Sequence, residues 1–138
     1  MLIAENNRIV RKAFREMLDW ERDIKVIGEA EDGLQAVRMV KKHSPAVVLM
    51  EISMPRESGL QAARRILDAA TSTKVLMLSV HAEEAYVEEA LKVGASGYLI
   101  KHSSTAKLSH AIREVKKGNT FFSPSIPRRL RKGPGREV

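Results

Sequence analysis

Apolar and β-branched residues gather in five short runs along the chain: Leu2-Ile3-Ala4, Ile24 to Gly28, Ala46 to Met50, Val75 to Val80 and Gly97 to Ile100. The stretches between them switch to a helical period. In the first of these, Ile9, Val10, Ala13, Phe14, Met17 and Leu18 share one stripe, while Arg11, Lys12, Arg15 and Glu16 fall opposite, the pattern of an amphipathic helix. Similar stripes recur at Leu34, Val37 and Val40; at Leu60, Ala63, Ile66 and Leu67; at Tyr86, Val87, Ala90 and Leu91; and at Leu108, Ala111, Ile112 and Val115. The last follows Ser103-Ser104, candidate N-caps, and stops at Gly118. Five strands alternating with five helices, the central strands apolar throughout, predict a parallel sheet covered on both faces and joined by right-handed crossovers, a doubly wound α/β domain.

For five strands the flavodoxin-like order 2-1-3-4-5 suits this alternation, with its switch point between strands 1 and 3, where ligands bind. Past Gly118 the periodicity gives way to Pro124, Pro127, Gly133, Pro134 and Gly135 among charges. The expected division is therefore a compact domain over 1–122 and a basic Pro/Gly-containing linker or tail over 123–138. The length of 138 residues and 43% hydrophobic content suit one core. The absence of cysteine removes disulfides, thiolate metal sites and cysteine nucleophiles. Of the net +7, most comes from Arg128, Arg129, Arg131, Lys132 and Arg136, opposed there only by Glu137. Without aromatic interleaving or a recognition helix, this basic stretch reads as a solvated linker, with nonspecific phosphate contact the alternative. No apolar run is long enough to span a bilayer, and no leader pattern opens the chain, so a cytoplasmic protein without membrane partners is expected.

Chemistry collects at the carboxyl ends of the predicted strands. The first runs into Glu5-Asn6-Asn7, the third ends in Glu51, the fourth reaches Ser79 and the fifth is followed by Lys101. Two carboxylates and an amide suit a hard divalent cation, while a hydroxyl and an ammonium suit phosphoryl oxygens. Plainer roles stand beside these. Asn6 or Asn7 could cap the first helix, Glu51 could simply pair with Lys101, and Ser79 could bond to backbone. His81 and His102 flank the crevice as solvated loop residues, and His43 and His110 carry no signal. A flavin carrier of the same topology needs a hydroxyl- and Gly-rich loop after strand 1, where this chain has Glu5-Asn6-Asn7-Arg8.

The runs Met1 to Asn7, Val47 to Pro55, Ser58-Gly59-Leu60, Leu78-Ser79 and Gly94 to Lys101 together resemble the receiver domain of bacterial two-component response regulators, over roughly residues 1–122. Ile9-Val10, Ile52-Ser53-Met54-Pro55 and Phe121-Phe122-Ser123-Pro124 are similar to the NarL-like subfamily, whose members usually carry a LuxR-type helix-turn-helix output domain after a linker. That resemblance implies a phosphoacceptor at position 51, Mg²⁺ held by residues 5, 6 and 51 and the backbone carbonyl of Ser53, and phosphate contacts from Ser79 and Lys101. It also implies a switch aromatic at Tyr98, a sensor histidine kinase as donor, and homodimers that bind DNA through the output domain. This sequence departs from the pattern where acids are handled: position 51 is Glu rather than Asp, position 5 is Glu, and position 6 is an amide. Glu5, Glu51 and Lys101 sum to −1 where the family pocket carries −2, so Mg²⁺ binding is expected to be weakened. The extra methylene of Glu51 misplaces a nucleophile in a reaction where about 1 Å costs on the order of a hundredfold. It also carries a fixed charge toward the place a phosphoryl oxygen would take. The expectation is a signalling module rather than an enzyme, with Glu51 phosphate-mimicking or phosphorylation-independent. A Mg²⁺-dependent phosphoacceptor is the alternative, and a flavodoxin-like cofactor carrier the remote one.

Overall fold

The computed structural model describes residues 1–69, 72–80, 83–101 and 105–132. Its elements follow in the order β1 (Leu2–Ala4), α1 (Arg8–Asp19), β2 (Gly28–Ala30), α2 (Gly33–His43), β3 (Val47–Glu51), α3 (Gly59–Asp68), β4 (Lys74–Ser79), α4 (Glu84–Lys92), β5 (Gly97–Ile100), α5 (Thr105–Lys116) and β6 (Phe121–Phe122), and a 3₁₀ turn spans Arg128–Lys132. The sheet is parallel throughout, in the order β2-β1-β3-β4-β5-β6. The expected doubly wound architecture and its 2-1-3-4-5 order are present, extended by a sixth short strand.

Period-two alternation divides the core between the two faces. Ile3, Val47, Leu49, Leu76, Leu78 and Leu99 point toward α1 and α5, where they meet Leu18, Leu108 and Ile112. Leu2, Val48, Met50, Val75, Met77 and Tyr98 point the other way, toward Val37 of α2, Ala63 of α3 and Val87 of α4. Because both faces are covered, β3 is buried at every position, which explains its unbroken apolar sequence up to Glu51. Local signals start the helices. Asn7 Oδ1 accepts from the amides of Ile9 at 2.9 Å and Val10 at 3.1 Å, Asp32 Oδ1 accepts from Gln35 at 2.8 Å, and Ser58 and Gln61 form a capping box. The predicted caps Ser103-Ser104 lie outside the described residues.

Three boundaries differ from the periodicity. The second strand begins at Gly28 rather than Ile24, because β1 offers Leu2–Ala4 as partners only to Gly28–Ala30; Ile24 and Val26 still bury their side chains without joining that ladder. In α1, Ile9 is 81% exposed and Ala13 also faces solvent, since the sheet takes up only the Phe14-Met17-Leu18 side of a stripe wider than the contact. Past residue 122, where the compact part was expected to end, the chain stays packed: Ser123, Ile126 and Leu130 are buried. No helix among the described residues is long and apolar enough to cross a membrane.

Candidate functional site

Register alone brings the predicted residues together. Ala4 pairs with Met50, so Glu5 and Glu51 leave adjacent strands side by side. Ser79 pairs with Ile100, so Lys101 emerges just beyond Ser79, whose carbonyl accepts the Lys101 amide at 2.8 Å. The turn after β3 is drawn against the sheet by Gly59, whose amide donates to the Ile52 carbonyl at 2.7 Å. A Cβ at position 59 would land on the Glu51 carbonyl oxygen, so only glycine allows this approach.

At the centre, Lys101 Nζ lies 2.7 Å from Glu5 Oε1 and 3.2 Å from Glu51 Oε2. Both carboxylates are buried, at 1% and 3% exposure, while the lysine side chain keeps 19%. These two oxygens are ion-paired rather than aligned hydrogen-bond acceptors, so one ammonium is shared between two buried acids. The other Glu51 oxygen accepts a long bond, 3.4 Å, from the Ser53 amide. Burial, and then the charge of Glu5, push the Glu51 carboxyl above its usual range against the pull of Lys101 and the Ser53 N–H. Burial works against the Lys101 ammonium, but Glu5 and Glu51 outweigh it and hold the lysine above its ordinary value.

Beneath this cluster, Ser79 is fully buried and hydrogen-bonded to the phenol of Tyr98, itself 1% exposed. Burial pushes the Tyr98 hydroxyl up to about 12. The structure thus brings Glu5, Glu51, Ser79, Tyr98 and Lys101 into one column at the sheet's carboxyl edge. Asn6 is exposed at its rim, and Asn7 is the residue that caps α1. His81 and His102 lie outside the described residues. One contributor escaped sequence reasoning. Arg11, assigned to the polar side of α1, is 13% exposed, donates to the Glu5 carbonyl at 2.8 Å and pairs with Glu29 at 3.0 Å. The only signal for it was a cation one turn into the helix that follows Glu5.

A divalent cation at this site would share Glu5 and Glu51 with Lys101, which engages one oxygen of each. Among the described residues no group of three or more His, Cys, Asp or Glu side chains that could hold a metal ion gathers, and Asn6 is exposed. Two carboxylates that share an ammonium present less net negative charge to Mg²⁺ than the same pair without it.

A parallel five-helix α/β sheet with acids and a lysine at its switch point defines a class of signalling domain, and comparison with known proteins agrees. Residues 1–113 match the family model described as the response regulator receiver domain, and the chain belongs to that family. It is 36% identical over 130 residues to the transcriptional regulatory protein DegU of Brevibacillus brevis, covering 94% of this chain and 55% of that protein. It is 35% identical over 127 residues to the oxygen regulatory protein NreC of Staphylococcus carnosus, covering 91% and 58%. Among solved structures, the receiver domain of the response regulator NarL from Mycobacterium tuberculosis superposes with a TM-score of 0.83 at 32% identity, covering 86% of this chain and 95% of that one. The chain is a receiver domain of the NarL/DegU type and spans a little over half the length of these curated relatives.

Proposed function

We propose that this receiver works with a built-in anion at residue 51 in place of a reversible phosphoryl group, and that it controls the association, and through it the DNA binding, of a transcriptional output domain in the cytoplasm. The observation that carries the reading is the shared ammonium: Lys101 reaches Glu5 at 2.7 Å and Glu51 at 3.2 Å, so the lysine that would meet a phosphoryl oxygen is already held by the side chain of residue 51. Phosphoryl transfer to Glu51 is disfavoured on the same ground. Its Oε2 is paired with Lys101, and the added methylene shifts both oxygens from where an aspartate would place them, while in-line transfer depends on a well-positioned nucleophile.

The rest of the column supplies the readout. Charge at position 51 fixes Lys101 at the end of β5, the Ser79–Tyr98 bond keeps the aromatic inward, and the population shifts toward one arrangement of the α4–β5 surface. Association uses a second copy of the chain, through the outward side of α1, where Ile9 is 81% exposed and Trp20, just past the helix end, is 88% exposed. Residues 123–138 then serve as the connection to the output domain.

Two measurements test this. Incubation with acetyl phosphate and Mg²⁺ followed by intact mass leaves the chain unmodified if Glu51 is a fixed charge; an added phosphoryl mass at residue 51 overturns the reading in favour of a phosphorylated receiver. Sedimentation of the parent, Glu51→Gln and Glu51→Asp then reports self-association. The Gln variant should dissociate relative to the parent, and identical behaviour of all three leaves Glu51 a structural acid.

A further inference from the structure

The chain past α5 is built onto the switch column. β6 pairs in parallel with Gly97 and Tyr98, and Ser123 then clasps β5 twice: its amide donates to the Tyr98 carbonyl at 3.0 Å and its hydroxyl accepts from the Ile100 amide at 2.9 Å. Beyond it, Ile126 at 1% and Leu130 at 7% exposure enter the same hydrophobic cluster as Tyr98, Val87 and Ala90. The arm is organised within itself by Arg131, which donates to the carbonyls of Ile126 at 3.0 Å, Pro124 at 3.2 Å and Ser123 at 3.3 Å. Charge fits as well. Arg128, Arg129 and Arg131 lie on a segment packed against α4, whose N-terminal end and body carry Glu83, Glu84, Glu88 and Glu89, and Arg129 pairs with Glu84. The basic stretch that composition marks as solvated is a docked element over residues 121–132.

We propose that this arm is a latch that closes over the inward form of Tyr98, so that the Ser79–Tyr98 hydrogen bond and the docking of residues 121–132 stabilise one another. Tyr98, Ile126 and Leu130 belong to one buried hydrophobic cluster, and the Tyr98 carbonyl holds the arm's first clasp. A ring that swings outward takes apolar surface out of the cluster that buries Ile126 and disturbs the Ser123 bonds, while an undocked arm opens that cluster and lowers the cost of the ring's leaving. Coupling of this kind is reciprocal. It passes the state of the pocket to whatever follows residue 132 through packed chain, and it holds whether the charge at residue 51 is built in or added.

The test uses the 138-residue chain, with amide hydrogen exchange and the Tyr98 ring resonances read by NMR. Leu130→Ala should speed exchange at Ile100 and Ser123 by roughly tenfold or more, equivalent to about 1.4 kcal/mol of lost docking, and should shift the Tyr98 ring signals. Ser79→Ala, a change on β4 outside the arm, should speed exchange at Ser123 and Ile126, and the double variant should fall short of the summed single effects. Ile126→Val gives the same readouts with a milder lesion if Leu130→Ala does not fold. Unchanged protection of the arm in Ser79→Ala, or an arm that opens without moving the Tyr98 signals, overturns the latch.

Discussion

Lys101→Met removes the one ammonium that Glu5 and Glu51 share while keeping the length of the side chain. At an effective dielectric near 20, the pairs at 2.7 Å and 3.2 Å are worth about 6 and about 5 kcal/mol of gross attraction, most of it offset by the desolvation of three charged groups. What remains after the substitution is the costly part: two carboxylates at 1% and 3% exposure with no cation between them. Breaking such a set typically costs about 3–5 kcal/mol, and the partial exposure of Lys101 argues for the lower end, about 3 kcal/mol. With an unfolding entropy of about 2.1 cal/mol/K per residue, this lowers the melting temperature by about 10 °C at pH 7. The sign of the pH dependence is fixed. Glu51 already has its folded pKa raised above the ordinary 4.5, so it contributes stability that is present below that value and lost as pH rises through the folded one. Without Lys101 the Glu51 carboxyl loses the cation that pulls it down and moves further up, so the deficit should be small in acid below about pH 4.5 and grow toward neutrality. Thermal melts of parent and variant across this range decide it, and Lys101→Met with Glu51→Gln should recover most of the loss at pH 7. A melting temperature within about 2 °C of the parent at pH 7, or a deficit of equal size at every pH, refutes the shared-ammonium account.

Other expectations rest on separate features. Gly59→Ala pushes a methyl group onto the Glu51 carbonyl oxygen, so it should destabilise by about 1–3 kcal/mol in urea titrations and shift the Lys101 resonances, where a merely helical effect would stabilise. Asn7→Ala strips the cap from α1 and should cost about 1 kcal/mol in the same assay, whereas Asn6→Ala, at an exposed position without the cap bonds, should be near neutral. Ser44 holds φ 46° and ψ 54° directly before Pro45, a conformation crowded by its own Cβ and by the proline ring, so Ser44→Gly should stabilise by about 0.5–1 kcal/mol.

Much of the site was legible because parallel register carries strand-end residues to one edge: once Ala4 and Met50 are neighbours, Glu5 and Glu51 must be too. Lys101 follows from the pairing of Ser79 with Ile100. The choice between Asn6 and Asn7 as the cap was not legible, since both side chains have the required chemistry and only backbone geometry at the helix start separates them. Ile9 was placed inward by a period that reports angle but not how far the sheet extends beneath the helix.

Local pattern therefore determined the alternation of strands and helices, and with it that the strand-end polar residues meet at one edge of a parallel sheet, because side-chain period and crossover handedness are properties of short segments. The order 2-1-3-4-5 was the known doubly wound arrangement that suits five strands. Tertiary structure decided what those segments touch. It made one lysine the common partner of two acids and drew Arg11 beneath Glu5. It also turned a basic, proline-bearing stretch into a packed arm, because Ile126 and Leu130 found an apolar surface that exists only once α4, β5 and Tyr98 have come together.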